Sequence, residues 1–409
     1  MHVDEIRSHF PALRRTHNGL PVAYFDAPGG TQVPSAVAAA MSDYLFHHNA
    51  NTHWQYPTSA ETDAIIAGAR QAAADLLNAD AREIVFGANM TTLTFHLARA
   101  LGRMWGEGDE LVVTELDHHA NIAPWRALTT DRGVTVRSAR MDCDLSQLDY
   151  DHLASLVTEN TKLIAVGGAS NAIGTINDLE RVAKLAKDAG AFLFVDAVHL
   201  APHELIDVRR IGCDFLACSA YKFYGPHAGI LYGRFELLDT LPFPKLAPAP
   251  DGAPERAETG TQNHEGIAGV AAAIEFLASI GGTDGTRRER LERAYATLHE
   301  QGVVLTRILW EGLSSIRGVR LFGPPPDGRR TPTVSFTVEG LACDDLSRAL
   351  ADRAIFASSG DFYATTVCES FGIESLLRVG CGCYTTEDEV RRLVEAVTSL
   401  AHTAASGVQ

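Results

Sequence analysis

The chain has 409 residues, 46% of them hydrophobic and 21% charged, and 35 Lys plus Arg stand against 51 Asp plus Glu for a formal charge of −16. This length supports two domains with large cores, and the negative balance disfavours a phosphate backbone, so no nucleic-acid partner is expected. The start, Met1-His2-Val3-Asp4-Glu5-Ile6, carries acids and no apolar signal core, no apolar run is long enough to span a bilayer, and seven scattered cysteines form no disulfide framework in a chain of this size. A cytoplasmic protein with reduced thiols, no membrane contact and no metal site is expected.

Residues 1–20 read as an N-terminal segment, ahead of a large domain over 21–262 and a smaller one over 263–409. The polar stretch Asn49-Ala50-Asn51-Thr52-His53 precedes a helical pattern over 61–77 and reads equally as an ordinary loop or as the wall of a site. From 83 to 232 short apolar runs alternate with helical patterns. Strands are expected at 83–86, 110–114, 134–139, 163–167, 192–196, 215–219 and 229–232, with helices at 91–105, 121–130, 149–157 and 178–189. Helices of that length suit crossovers between parallel strands, which predicts an α/β domain built on a mostly parallel central sheet flanked by helices. Five prolines between 242 and 254 suit a stiff surface connection near a domain boundary. Beyond it, helices over 266–280 and 287–315 and strands at 333–338 and 376–379 predict a smaller α+β C-terminal domain. Thr386 and Glu389 form a capping box ahead of the apolar stripe Val390, Leu393, Val394, Val397 and Leu400. Cys381 and Cys383 lack a second pair at zinc-ligand spacing and read as core thiols.

Two residues at expected strand ends carry chemistry. Lys222 follows the run Phe215-Leu216-Ala217-Cys218-Ser219-Ala220-Tyr221, and burial there would lower its pKa and make a nucleophilic amine. Taken alone it reads as well as a lysine whose stem lies on apolar surface while its head reaches water. Asp196 ends the preceding apolar run, Ala191-Phe192-Leu193-Phe194-Val195. An acid and an amine at neighbouring strand ends, where ligands of open parallel sheets bind, suggest pyridoxal phosphate.

Six segments occur in order: Asp117-His118-His119-Ala120-Asn121, Ser170-Asn171-Ala172-Ile173-Gly174, Val195-Asp196-Ala197, Ser219-Ala220-Tyr221-Lys222-Phe223-Tyr224-Gly225-Pro226, Glu258-Thr259-Gly260-Thr261, and Arg378. Together they resemble, over nearly the whole chain, the class V aminotransferase group of fold-type I pyridoxal phosphate enzymes, which includes cysteine desulfurases and selenocysteine lyases. The resemblance implies that Lys222 condenses with the cofactor aldehyde and later moves the substrate α proton, and that Asp196 keeps the pyridine nitrogen protonated. It implies that His118 stacks on the ring, with Asn171 and His199 near the ring oxygen. Met90 and Thr91 at a helix start and Ser219 would hold the phosphate end, and Tyr221 is a further cofactor contact. Thr261 would complete that cradle from a neighbouring subunit, giving a homodimer with a composite active site. Arg378 would hold the carboxylate of an amino acid substrate by a two-pronged contact, with Asn171 and His53 nearby. Read without the resemblance, His118 suits a core or surface position and Arg378 a salt bridge.

The departures lie on the substrate side. Cysteine desulfurases carry an Arg-x-Gly-x-x-Cys-Ala stretch whose thiolate takes the substrate sulfur; here it reads Ser358-Ser359-Gly360-Asp361-Phe362-Tyr363-Ala364. A phenol cannot carry sulfane sulfur, although it can donate a proton. Cys368 is the alternative thiol, set against a buried core cysteine. His199 and Tyr221 stand where these enzymes have glutamine and histidine. The expectation is a lyase that abstracts the α proton and expels a β or γ substituent without a protein persulfide, Tyr363 or water protonating what departs. The alternatives are an aminotransferase or epimerase of the same family, or a catalytically silent partner. No Gly-x-Gly-x-x-Gly joins a strand to a helix, which argues against a nicotinamide enzyme.

Overall fold

A computed structural model of the chain describes residues 1–407. The alternating apolar runs form one seven-stranded sheet, in the order Ile84–Gly87, Gly229–Gly233, Phe215–Ser219, Phe192–Asp196, Thr161–Gly167, Glu110–Thr114 and Thr135–Ala139. Only Gly229–Gly233 runs against its neighbours. The inner strands are buried on both faces, as their uninterrupted apolar sequences require. Alternate residues feed two cores: Val112, Ile164, Val166, Leu193 and Val195 face one side, and Leu111, Val113, Leu163, Ala165 and Phe194 the other.

The flanking helices start where polar caps allow. Asn89 accepts from the Thr92 amide ahead of Met90–Leu101, Asp149 from His152 ahead of Tyr150–Leu156, and Asp178 from Arg181 ahead of Leu179–Ala189. Gly229 permits one close approach, since a Cβ there would lie 2.5 Å from the Asn89 backbone carbon. The start of helix Met90–Leu101 is thereby set against the carboxyl ends of the parallel strands.

The C-terminal layer is a four-stranded sheet, Val319–Phe322, Thr333–Val338, Leu376–Gly380 and Ser358–Gly360, antiparallel throughout. Helices Arg287–Ser314 and Cys343–Asp352 pack on it, and Glu387–Gly407 packs against both helices. The last is capped as its sequence requires, Thr386 and Glu389 exchanging backbone-to-side-chain bonds of 3.0 and 3.2 Å. Two features cross the limits drawn from sequence. Ala23–Tyr24 pairs in parallel with Ile355–Phe356, and Ala23 and Phe25 join the C-terminal core. Helix His264–Ile280 buries Ile267, Val270, Ile274 and Leu277 in the core of the large sheet. The change of core falls inside Arg287–Ser314, where Leu291 and Tyr295 serve one core and Leu305, Leu309 and Leu313 the other. The end of the 263–409 span, residues 408 and 409, lies outside the described residues. Among the described residues no helix is long and apolar enough to cross a membrane.

Candidate active site

The strands Thr161–Gly167, Phe192–Asp196 and Phe215–Ser219 end side by side, and the chain leaves the last through the turn Ala220–Lys222. Their ends, with the start of helix Met90–Leu101, border a cavity of about 550 Å³. Met90, Thr91, His118 and Asn171 line it, as do Asp196, His199, Ser219, Tyr221 and Lys222. A chamber of about 540 Å³ adjoins it, sharing His118, Asn171 and Lys222 and adding Phe95, Phe362, Tyr363 and Arg378. Two expected residues lie elsewhere: His53 and Thr261 line a separate depression of the same chain. Asp26, His227 and Phe362 belong to the site and were not singled out from sequence. Phe362 lay within the substrate-side stretch Ser358–Ala364, and His227 follows Gly225-Pro226 directly after the lysine segment; His227 stacks on Tyr221 with ring centres 4.9 Å apart.

The amine of Lys222 donates to the carbonyl oxygens of Pro28 and, at 2.9 Å, Gly29. Burial, reinforced by the charge of Arg378, lowers its pKa to about 8, while Asp26 and Asp196 pull weakly the other way. A neutral amine is therefore accessible near physiological pH. Cofactor capture by the apoprotein, followed as growth of visible absorbance on mixing with pyridoxal phosphate, is expected to accelerate with pH and to level off above about 8. A rate flat between pH 6.5 and 9 would contradict this.

Asp196 is buried, and desolvation raises its carboxyl to about 6 although one oxygen accepts from the Val198 amide at 2.9 Å. Asp117, also buried, is raised to about 7, first by desolvation and then by Asp196, against bonds of 2.8 Å from the Gly167 amide and from Asn121 Nδ2. Residue 167 must be glycine for this, since a Cβ would fall 2.6 Å from Asp117 Oδ1. His118 accepts from the Ala120 amide through Nδ1 at 2.9 Å, which leaves the proton for Nε2. Burial, and then the charges of Lys222 and Arg378, lower His118 to about 4, so its ring is neutral. His199 is held between the hydroxyls of Thr331 and Thr333 at 3.0 and 3.1 Å, and burial keeps it neutral as well.

Arg378 lies under a layer of protein, its side chain 4% exposed. One nitrogen meets Asp26 at 3.2 Å and Ser358 Oγ at 3.3 Å, another donates to the Asn171 carbonyl at 3.0 Å, and Nε has no partner among the described residues. Desolvation lowers its pKa only to about 10, which leaves it cationic. The Phe362 ring centre sits 3.8 Å from the guanidinium carbon. Phe362 and Tyr363 both have φ of +56°, a left-handed conformation that costs about 1–2 kcal/mol for each such residue. Donors from the cofactor side fix it: Asn171 Nδ2 bonds the Phe362 carbonyl at 2.9 Å, and the His119 amide that of Tyr363 at 2.7 Å. The amide of Asn171 is thus turned to the loop, and its Oδ1 is left buried without a partner.

These groups suit pyridoxal phosphate. A helix start presents backbone amides, Ser219 Oγ accepts from the Met90 amide at 2.9 Å and keeps its own proton to donate, and Asp196 offers a second oxygen beyond the one bonded to Val198. Among the described residues no cysteine lines the cavity or the chamber. Cys368 is buried on helix Thr365–Phe371, its thiol pushed up to about 11 by desolvation.

Comparison with known proteins agrees with this geometry. The family model Aminotransferase class-V matches residues 23–393. A cysteine desulfurase of Pectobacterium atrosepticum is 31% identical, over 96% of both chains. One of Synechococcus elongatus is 33% identical over 97% of this chain, which spans 63% of that relative's length. The solved cysteine desulfurase of Thermococcus onnurineus superposes with a TM-score of 0.88 at 29% identity, covering 98% of this chain and 99% of that one. The architecture is accordingly that of the fold-type I enzymes, and the chain belongs to the class V aminotransferase family of pyridoxal phosphate-dependent enzymes.

Proposed function

We propose that the protein is an amino acid lyase that binds pyridoxal phosphate through Lys222, removes the substrate α proton and expels a β or γ substituent without forming a protein persulfide. The observation that carries this reading is the absence of any thiol from the lining of the cavity and chamber, where Tyr363 stands at the chamber wall. When bound, pyridoxal phosphate supplies an electron sink for the pair left at the α carbon. Asp196 holds the heterocycle cationic, and the neutral ring of His118 offers a face to it. Ser219 and the Thr91 amide bind the phosphate end at the helix start, where the Met90 amide donates to Ser219 Oγ and leaves that hydroxyl's proton for the phosphate. His199 and Tyr221 border the ring. Arg378, at the chamber wall, takes the substrate carboxylate. Lys222, once freed, moves the α proton, and the Tyr363 hydroxyl or water protonates the group that leaves.

We also propose a homodimer. Thr261 and His53 lie together, away from their own chain's Lys222, so a second copy can bring both to its neighbour's site. Exposed Phe46, Trp54, Tyr56 and Leu246 supply apolar surface for that contact.

The test is product analysis of the cofactor-loaded protein with a panel of amino acids. A lyase yields keto acid and ammonia from one substrate with no acceptor present. Accumulation of the amine form of the cofactor, or racemised substrate alone, would overturn the reading. Cys368→Ser is expected to leave turnover within about twofold of wild type, as for a buried thiol without a role; loss of sulfur release in that variant would restore a persulfide route.

A further inference from the structure

We infer that the substrate is a cysteine conjugate whose sulfur bears an uncharged aromatic or bulky apolar group, rather than free cysteine or an anionic amino acid. This rests on the lyase reading above and names its substrate class.

The chamber beside Lys222 sets the terms. Phe95, Ala120, Ala123, Phe362 and Tyr363 give it apolar and aromatic walls. The backbone of Phe362 and Tyr363 is held in its left-handed conformation by Asn171 and His119, and the Tyr363 ring lies beside His118 with ring centres 5.5 Å apart.

Charge narrows the choice. Among the described residues of this chain, the Lys and Arg side chains lining the chamber are Lys222, which the cofactor consumes, and Arg378, which the substrate's own carboxylate needs. Arg378 is already partly neutralised by Asp26, whose side chain is 44% exposed, and one face of its guanidinium is covered by Phe362. His118 is neutral, and His119 Nε2 lies 2.7 Å from the Thr365 hydroxyl. Ser358, at the position of the arginine in the desulfurase stretch, adds no charge, and its hydroxyl donates to Asp26 at 2.6 Å. A side-chain sulfinate or carboxylate would thus lose its hydration without gaining a counter-ion. A bare thiol would leave the aromatic walls wet, whereas a planar apolar group removes them from water and stacks on them.

The chemistry balances without an added oxidant or reductant. The α proton goes to the Lys222 amine, the pair from the Cα–H bond forms a Cα=Cβ bond, and the Cβ–S bond breaks with its electrons on sulfur. Sulfur takes a proton from Tyr363 or water. Hydrolysis of the released enamine gives pyruvate and ammonia, so the sum is conjugate plus water to thiol, pyruvate and ammonia.

The test titrates the cofactor-loaded protein with S-benzyl-L-cysteine, L-cysteine and L-cysteine sulfinate. It reads Kd from the change in visible absorbance, and thiol and pyruvate release separately. S-benzyl-L-cysteine is expected to bind at least about tenfold tighter than cysteine, with the sulfinate weakest; Phe95→Ala and Tyr363→Ala each narrow that preference to about threefold or less. Equal or tighter binding of cysteine or the sulfinate by the wild type would overturn the inference, as would an undiminished preference in both variants. Tight binding of the benzyl conjugate without thiol release would uphold the substrate class and overturn the lyase reading.

Discussion

Lys222→Ala is expected to lower turnover about 10⁴-fold or more, because one substitution removes both the covalent attachment and the general base at the α carbon. The loss should be chemical rather than structural. In the wild-type apoprotein burial holds the Lys222 pKa near 8, below the ordinary 10.5. The folded state therefore disfavours the ammonium, and stability from this group rises with pH between those values. Alanine at 222 removes that unfavourable charge at neutral pH, at the expense of the bonds to the Pro28 and Gly29 carbonyls. The donors of Ser219 and of the Met90 helix start remain, so the variant should still bind the cofactor without linking it. Borohydride reduction followed by peptide mapping checks both halves: a reduced adduct at 222 in the wild type, none in the variant. Retained turnover, or an adduct on another lysine, would remove Lys222 from its role.

Asp196→Asn is expected to divide activity from stability. Turnover should fall about 10²–10³-fold, the scale on which one preorganised electrostatic partner is lost. The apoprotein should gain stability at the same time. The folded-state pKa of Asp196 is raised to about 6 from 3.8, so the folded form binds the extra proton between these values and stability from this residue is lost as pH rises through that window. At pH 8 wild type carries the full cost of a buried carboxylate, about 2–3 kcal/mol from a shift of roughly two pK units. Asparagine is uncharged and can still accept from the Val198 amide. Urea denaturation of both apoproteins should show the variant more stable at pH 8, with the difference shrinking towards pH 4. A variant less stable at pH 8 would mean that the second oxygen of Asp196 has a partner whose loss outweighs the desolvation.

Much of this architecture was legible because buried parallel strands are written as uninterrupted apolar runs. Each of the seven expected runs appears within one or two residues of its predicted limits, and Asp196 and Ser219 are visible as polar residues at the ends of such runs. What escaped was whatever depends on residues far apart in the chain. The reversed direction of Gly229–Gly233 has no local signature. The pairing of Asp26 with Arg378 joins the two ends of the sequence, and nothing near either residue announces the other. The left-handed backbone at Phe362 and Tyr363 contradicts local preference, which assigns that region to Gly, Asn and Asp; it is imposed by donors from Asn171 and His119. The same donors explain why Asn171, read as a cofactor contact, spends its amide on the loop.

The parallel pairing of Ala23–Tyr24 with Ile355–Phe356 also has a temporal consequence. During translation the early strand must wait for a partner made roughly 330 residues later, on the order of half a minute at ordinary ribosomal rates. Meanwhile Ala23 and Phe25 have no native neighbours to cover them, so a nascent chain stalled before residue 355 would present a sticky leading edge to chaperones.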